Sequence, residues 1–143
     1  MEHYIDENIT GASLVKDDIP LISNLDILEN IAIIKEVHHH KSIASAEAEA
    51  IKLLDRISLY GIATNRVPLC SEFEIFCAMF IRALMSDSGK IMIVTPFNLI
   101  STLTEIKEII DVIHKLDVKK DIIIIDMKNN KTNYEGDLCH IVK

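Results

Sequence analysis

Apolar positions in this chain recur at two spacings, that of a helix face and that of a covered strand, and their order outlines a fold. The first patch, Ile9-Thr10-Gly11-Ala12-Ser13-Leu14-Val15, reads as a strand. Asp26 followed three residues later by Glu29 has the spacing of a capping box, so a short helix is predicted from there through about Glu36. A second helix is expected from about Ser45 to Leu59. Ala46, Ala50, Leu53, Leu54 and Ile57 fall on one face, the other face is charged, and Gly61 stands just past the end. Ser71 and Glu74 repeat the capping-box spacing at the start of residues 71 to 86, where Phe73, Ile75, Phe76, Cys77, Met79, Phe80, Ile81 and Leu84 leave almost no polar face. Such a helix is expected to be buried.

Lys90-Ile91-Met92-Ile93-Val94 is an apolar run stopped by Pro96, the pattern of a strand covered on both faces and followed by a loop. Thr102 and Glu105 are expected to cap a further helix with the stripe Ile106, Ile109, Ile110, Ile113 and Leu116. Asp121-Ile122-Ile123-Ile124-Ile125-Asp126 reads as a second covered strand, and strand, helix, strand implies a parallel crossover. A turn at Asn129-Asn130 then precedes two short strand candidates, Thr132 to Glu135 and Leu138 to Val142, separated by Gly136-Asp137. The predicted class is α/β, a small mainly parallel sheet with packed helices.

Composition narrows the function. The 143 residues are 49% hydrophobic and 26% charged, with four glycines, three prolines and no linker-like stretch, so residues 1–143 read as one domain. Fifteen Lys+Arg against 22 Asp+Glu give a formal charge of -7, which disfavours nucleic acid as a partner. No apolar run approaches the roughly 18 residues of a membrane span, and the opening Met1-Glu2-His3-Tyr4-Ile5-Asp6-Glu7 is acidic rather than signal-like. A cytoplasmic location without direct membrane insertion is the expectation.

Each candidate for chemistry has a plainer reading. His38-His39-His40 suggests a metal, but helical neighbours point about 100° apart and do not converge. Cys70, Cys77 and Cys139 form no C-x-x-C pair and are expected to be buried thiols; Cys70 and Cys77, two turns apart, cannot bridge within one helix. Cys139 and His140 would face opposite ways on a strand. Glu105, Glu108, Asp111 and Asp117 lie mostly opposite the isoleucine stripe, a solvated face, and Ser71 lacks nucleophile-elbow glycines and reads as a cap. Neither independent catalysis, a metal site nor a bound cofactor is expected.

Leu25 to Ile31 reads LDILENI, Leu53 to Leu59 LLDRISL, Cys70 to Ile75 CSEFEI, Ile81 to Leu84 IRAL, and Lys90 to Asn98 KIMIVTPFN. In this order they resemble the LTVLENV, LLDRVGL, LSGGEQ, ARAL and KLLLLDEPFS segments of the ATP-binding subunits of ABC transporters. The resemblance covers most of the chain, from just before that family's glutamine loop almost to its C-terminus. It implies a truncated, degenerate member. The family's Walker A loop has no counterpart: around the only Gly-Lys pair, Gly89-Lys90, Leu84 stands at the first glycine position and Ile91 at the Ser/Thr position, so the chain is expected to begin after that region.

The same alignment sets Val94 on the Walker B aspartate that helps hold magnesium and Thr95 on the glutamate that polarises the attacking water. Neither side chain can take over those tasks. Glu72 and Phe73 replace the two signature glycines whose backbone approaches the γ-phosphate, with Ser71 beside them. A carboxylate at that helix N-terminus would repel phosphate. Lys16 or Asp17 falls on the glutamine of the glutamine loop, Ser101 on the D-loop aspartate, and Asp126 or Met127 on the switch histidine. The implied function is a catalytically inactive ABC-ATPase-like protein acting through protein–protein contact, as an accessory or regulatory component of an ABC transport system. Its expected partners are a transporter membrane subunit, facing residues 25 to 69, a complete ATPase subunit, or a second copy of itself covering a sheet edge. The alternatives are a nucleotide-binding domain that completes a partner's ATPase site, and an unrelated small α/β regulatory domain.

Overall fold

The computed structural model describes residues 11–39 and 42–134. Three strands, β1 (Ala12–Val15), β2 (Lys90–Val94) and β3 (Asp121–Ile125), form a parallel sheet in the order β1-β2-β3. Gly11, at φ +75°, turns the chain into β1 in a conformation that side-chain-bearing residues disfavour. Ile9 and Thr10 lie outside the described residues. β2 is central: Ile91 to Val94 are all buried, as expected of a strand hydrogen-bonded on both sides.

The expectation for β3 needs correction. Ile122 to Ile125 are each only half-buried, because β3 has β2 on one side and no described strand on the other. One face of the sheet, including Val15, Ile91, Ile93, Ile122 and Ile124, packs into the main core with Phe76, Phe80 and Ile106. Leu14, Met92, Val94 and Ile125 cluster apart from that core, on the other face, and every described member of the cluster is a strand residue.

The helices are α1 (Ile27–His39), α2 (Ile43–Arg56), α3 (Glu72–Leu84), α4 (Pro96–Leu99) and α5 (Lys107–Lys115). The two expected capping boxes are present. The Glu29 amide donates to Asp26 Oδ1 at 2.8 Å while the Asp26 amide donates to Glu29 Oε1 at 3.1 Å. The Ser71 and Glu74 amides exchange bonds with the other's side chain at 2.8 and 3.2 Å. α3 is buried along most of its length, with Phe76 stacked on Phe80 at 6.4 Å.

Other boundaries move. α1 runs on to His39 rather than stopping near Glu36, and α2 spans Ile43–Arg56 rather than 45 to 59. Ser42 caps its start by accepting from the Ser45 amide. At its end Ser58, not Gly61, takes the left-handed conformation (φ 60°) of a Schellman turn, in which Leu59 N–H reaches Leu54 O at 2.8 Å and Ser58 N–H reaches Asp55 O at 3.0 Å. Cys70 precedes α3 and is half-buried, whereas Cys77 is buried within it.

After β2 the chain forms the one-turn helix α4 where a loop is expected. Thr102 and Glu105 form no cap. α5 begins only at Lys107, and the Glu108 carboxylate accepts from the Thr104 and Glu105 amides instead. Residues Lys128–Tyr134 are a 3-10 segment, which replaces the strand expected from Thr132; Leu138 to Val142, with Cys139 and His140, lie outside the described residues, as do the side chains of His38 to His40.

Candidate functional site

Parallel strands deliver their following residues to one edge of a sheet, which is where open α/β sheets bind ligands. Val15 is paired with Ile93 and Val94 with Ile125, so Lys16, Thr95 and Asp126 emerge in a row. Lys16 Nζ donates to Asp18 Oδ2 at 3.2 Å, and Asp17 is exposed. Val94 is 2% exposed, its isopropyl group packed with Met92, Leu14 and Ile125. The Val94 side chain itself offers no oxygen to a metal.

Thr95 adopts φ 48°, ψ 61°, a left-handed conformation that a β-branched residue rarely takes. It is held by its N–H on Ile125 O at 2.7 Å and by the Asn98 and Leu99 amides, which donate to its own carbonyl at 2.9 and 3.2 Å. Its side chain caps nothing in α4. Asp126 is occupied as an acceptor: Oδ1 takes the Met127 amide at 2.7 Å and Asn130 Nδ2 at 2.9 Å, and Oδ2 takes the Tyr134 hydroxyl at 2.7 Å. Tyr134 meets Phe97 edge to face at 5.9 Å, so this network fastens the 3-10 segment onto the turn after β2. Met127 is exposed.

The second group lies at the N-terminus of α3. Ser71 is the cap, Phe73 is half-buried against the main core, and Glu72 is exposed. Glu72 Oε1 accepts both the Ser101 amide, at 3.1 Å, and the Ser101 hydroxyl. These two bonds, the hydroxyl's foremost, hold the Glu72 carboxyl below the usual glutamate range. The structure thus joins two of the candidate positions, Glu72 and Ser101, 29 residues apart. Glu105, Glu108, Asp111 and Asp117 are exposed. Among the described residues no three His, Cys, Asp or Glu side chains gather as a metal ion would require.

Two organising residues escape the pattern reading. Asn30, fully buried, accepts from the Ile22 amide at 2.7 Å and donates to the carbonyls of Ile22 and Asp26 at 3.0 Å each. Arg82 donates to the carbonyls of Pro20 and Ile19 at 2.9 and 2.6 Å. The signal was present in both cases: Asn30 stands between Ile27 and Ile31 on an apolar face, and Arg82 is the only charge in the body of α3 after Glu74.

This arrangement, a small parallel three-stranded sheet with helices packed on it, is the fold of part of an ABC ATPase domain. A solved structure it resembles is the ATP-binding cassette MJ0796, in a dimeric post-hydrolysis state bound to ADP and Pi, with a TM-score of 0.62 and 20% sequence identity over 87% of the present chain. The chain spans 58% of that protein's length. No protein-family profile matches the chain, and no curated protein sequence matches it. No described helix is long and apolar enough to cross a membrane.

Proposed function

We propose that this chain is a catalytically inactive ABC-ATPase-like domain that acts by binding another protein, as an accessory or regulatory component of an ABC transport system. The observation that carries the reading is the Glu72 carboxylate engaged with Ser101 at the start of α3. A phosphate brought to that helix end would meet a negative charge already held in place by two donors. Val94, an apolar side chain buried in the sheet, and Thr95, whose hydroxyl meets no activating base among the described residues, support the same conclusion for metal binding and water activation. The motif positions therefore serve the fold: Ser71 caps α3, Val94 packs the sheet, and the Ser101–Glu72 bonds tie the segment after α4 to the start of α3.

Partner binding is the remaining use of such a domain. The dimeric state of MJ0796 supports pairing with a complete ATPase subunit or a second copy, and the family resemblance points to residues 25 to 69 as the surface that would face a transporter membrane subunit. The location that follows is cytoplasmic, peripheral to a membrane only through that subunit. Calorimetric titration of the full chain with Mg-ATP should be flat to millimolar concentration. A saturable heat of one site per chain, lost on addition of ADP, would overturn nucleotide silence and favour completion of a partner's ATPase site. Purification at native expression should recover a transporter subunit. A lone species of about the 16.1 kDa chain mass, unchanged on tenfold concentration, would reject both the subunit and the homodimer.

A further inference from the structure

We propose that the groove along the outer edge of β1 binds an extended peptide segment bearing a carboxylate, supplied by a partner protein. This inference is independent of whether the chain handles ATP. The groove is shallow and open to solvent, with a volume of about 320 Å³ between β1, α1 and α3. Three consecutive strand residues, Ala12, Ser13 and Leu14, line it. Successive side chains point to opposite faces of a sheet, so only the edge of a strand can present all three to one space. β1 has β2 on one side and no described strand on the other, so among the described residues its outer N–H and C=O groups pair with no strand and are placed to take an added one.

Charge selects the occupant. Arg82 borders the groove, and its guanidinium has five N–H donors. Two are used on the Pro20 and Ile19 carbonyls, which are neutral, and no carboxylate pairs with Arg82 among the described residues. Burial depresses its pKa, as expected of a cation losing water without gaining a counter-ion. A carboxylate entering from the groove would supply that counter-ion in the forked geometry a guanidinium favours. Ile19 and Ile34 form apolar walls suited to alternating side chains of an extended segment. Ser13 and Ser86 hydroxyls, bonded to one another, complete the lining.

The test uses the full chain and fluorescence anisotropy with a labelled eight-residue peptide of alternating valine and threonine carrying one central glutamate. Saturable micromolar binding is expected, at least tenfold weaker when the glutamate is replaced by glutamine or when alternate peptide amides are N-methylated. Arg82→Gln should erase the preference for glutamate over glutamine. Should that variant fail to fold by circular dichroism, Ile34→Glu provides the second arm: it places a like charge in the wall and should weaken the glutamate peptide at least tenfold. Absence of saturable binding, equal binding of the glutamate and glutamine peptides, tolerance of N-methylation, or displacement by hexanoate at equal concentration would each overturn the proposal.

Discussion

Asn30→Leu removes a buried amide at nearly constant volume and so isolates what its hydrogen bonds contribute. In the native chain Oδ1 takes the Ile22 amide at 2.7 Å, and Nδ2 reaches the carbonyls of Ile22, Asp26 and, at 3.4 Å, Leu25. The Asp26 carbonyl keeps a second donor, the Asn30 backbone amide at 3.0 Å, and Ile22 is 44% exposed, so water can reach part of what is lost. At about 1 kcal/mol net per bond, with a surcharge for groups that water does not reach, the loss comes to about 2–4 kcal/mol. For a chain of this size that corresponds to a fall in Tm of about 6–16 °C. Urea unfolding followed by circular dichroism measures it directly, and a loss below about 0.5 kcal/mol would refute the assignment of Asn30 as the anchor of residues 22 to 26. Asn30→Asp adds a pH dependence with a definite sign. Carbonyl oxygens facing the new carboxyl disfavour its charged form and raise its folded pKa, so the deficit should be smallest below about pH 4 and grow as pH rises through that value.

Thr95→Gly relieves a left-handed β-branched residue at the cost of added freedom in the unfolded chain, and should stabilise by about 0.5–1 kcal/mol in thermal unfolding; destabilisation would contradict the strain. Glu72, with its folded pKa lowered, contributes stability that is present above the unfolded glutamate pKa and lost as pH falls through the folded one. An NMR titration of its carboxyl should therefore show a midpoint below the ordinary range that Ser101→Ala moves back upward. Burial pushes the Cys77 thiol up to about 12, so a thiol reagent at pH 8 should leave Cys77 unlabelled in the folded chain and label it in urea, as read by peptide mapping. Tyr134→Phe deletes one donor to the Asp126 carboxylate and should cost about 1.5–3 kcal/mol locally, seen as faster amide exchange across residues 127 to 134.

Features governed by residues within a few positions of each other were readable in the chain. Asp26 with Glu29 and Ser71 with Glu74 form their boxes because every group involved lies within one turn. The burial of β2 follows from its uninterrupted apolar run, and the parallel order from the helix between β2 and β3. The same rule applied to Thr102 and Glu105 fails, because Glu108 supplies the carboxylate that takes the Thr104 and Glu105 amides and the helix starts only at Lys107. Ser58 displaces Gly61 as the end of α2 because a Schellman turn needs only one left-handed residue, and Leu59 packs with the core behind it. Around the candidate positions the contacts were not legible: the bond from Ser101 to Glu72 spans 29 residues and the Tyr134 bond depends on a 3-10 segment that no periodicity announces. The four isoleucines of β3 promised a covered strand; whether an apolar run is covered depends on its neighbours, which composition does not encode.

The order β1-β2-β3 also has a consequence for how the chain is made. Ala12 pairs with Lys90, 78 positions later, whereas Lys90 pairs with Asp121 only 31 positions later. On a ribosome β1 therefore emerges long before the strand that completes it. Loop closure for the first pairing costs about 0.8 kcal/mol more than for the second, a small thermodynamic difference. The kinetic difference is larger, since α1 and α2 can pair with one another while β2 is still being synthesised. Slow codons placed after the α1–α2 pair and before β2 would prolong the interval in which β1 has no partner, and so raise the load on chaperones.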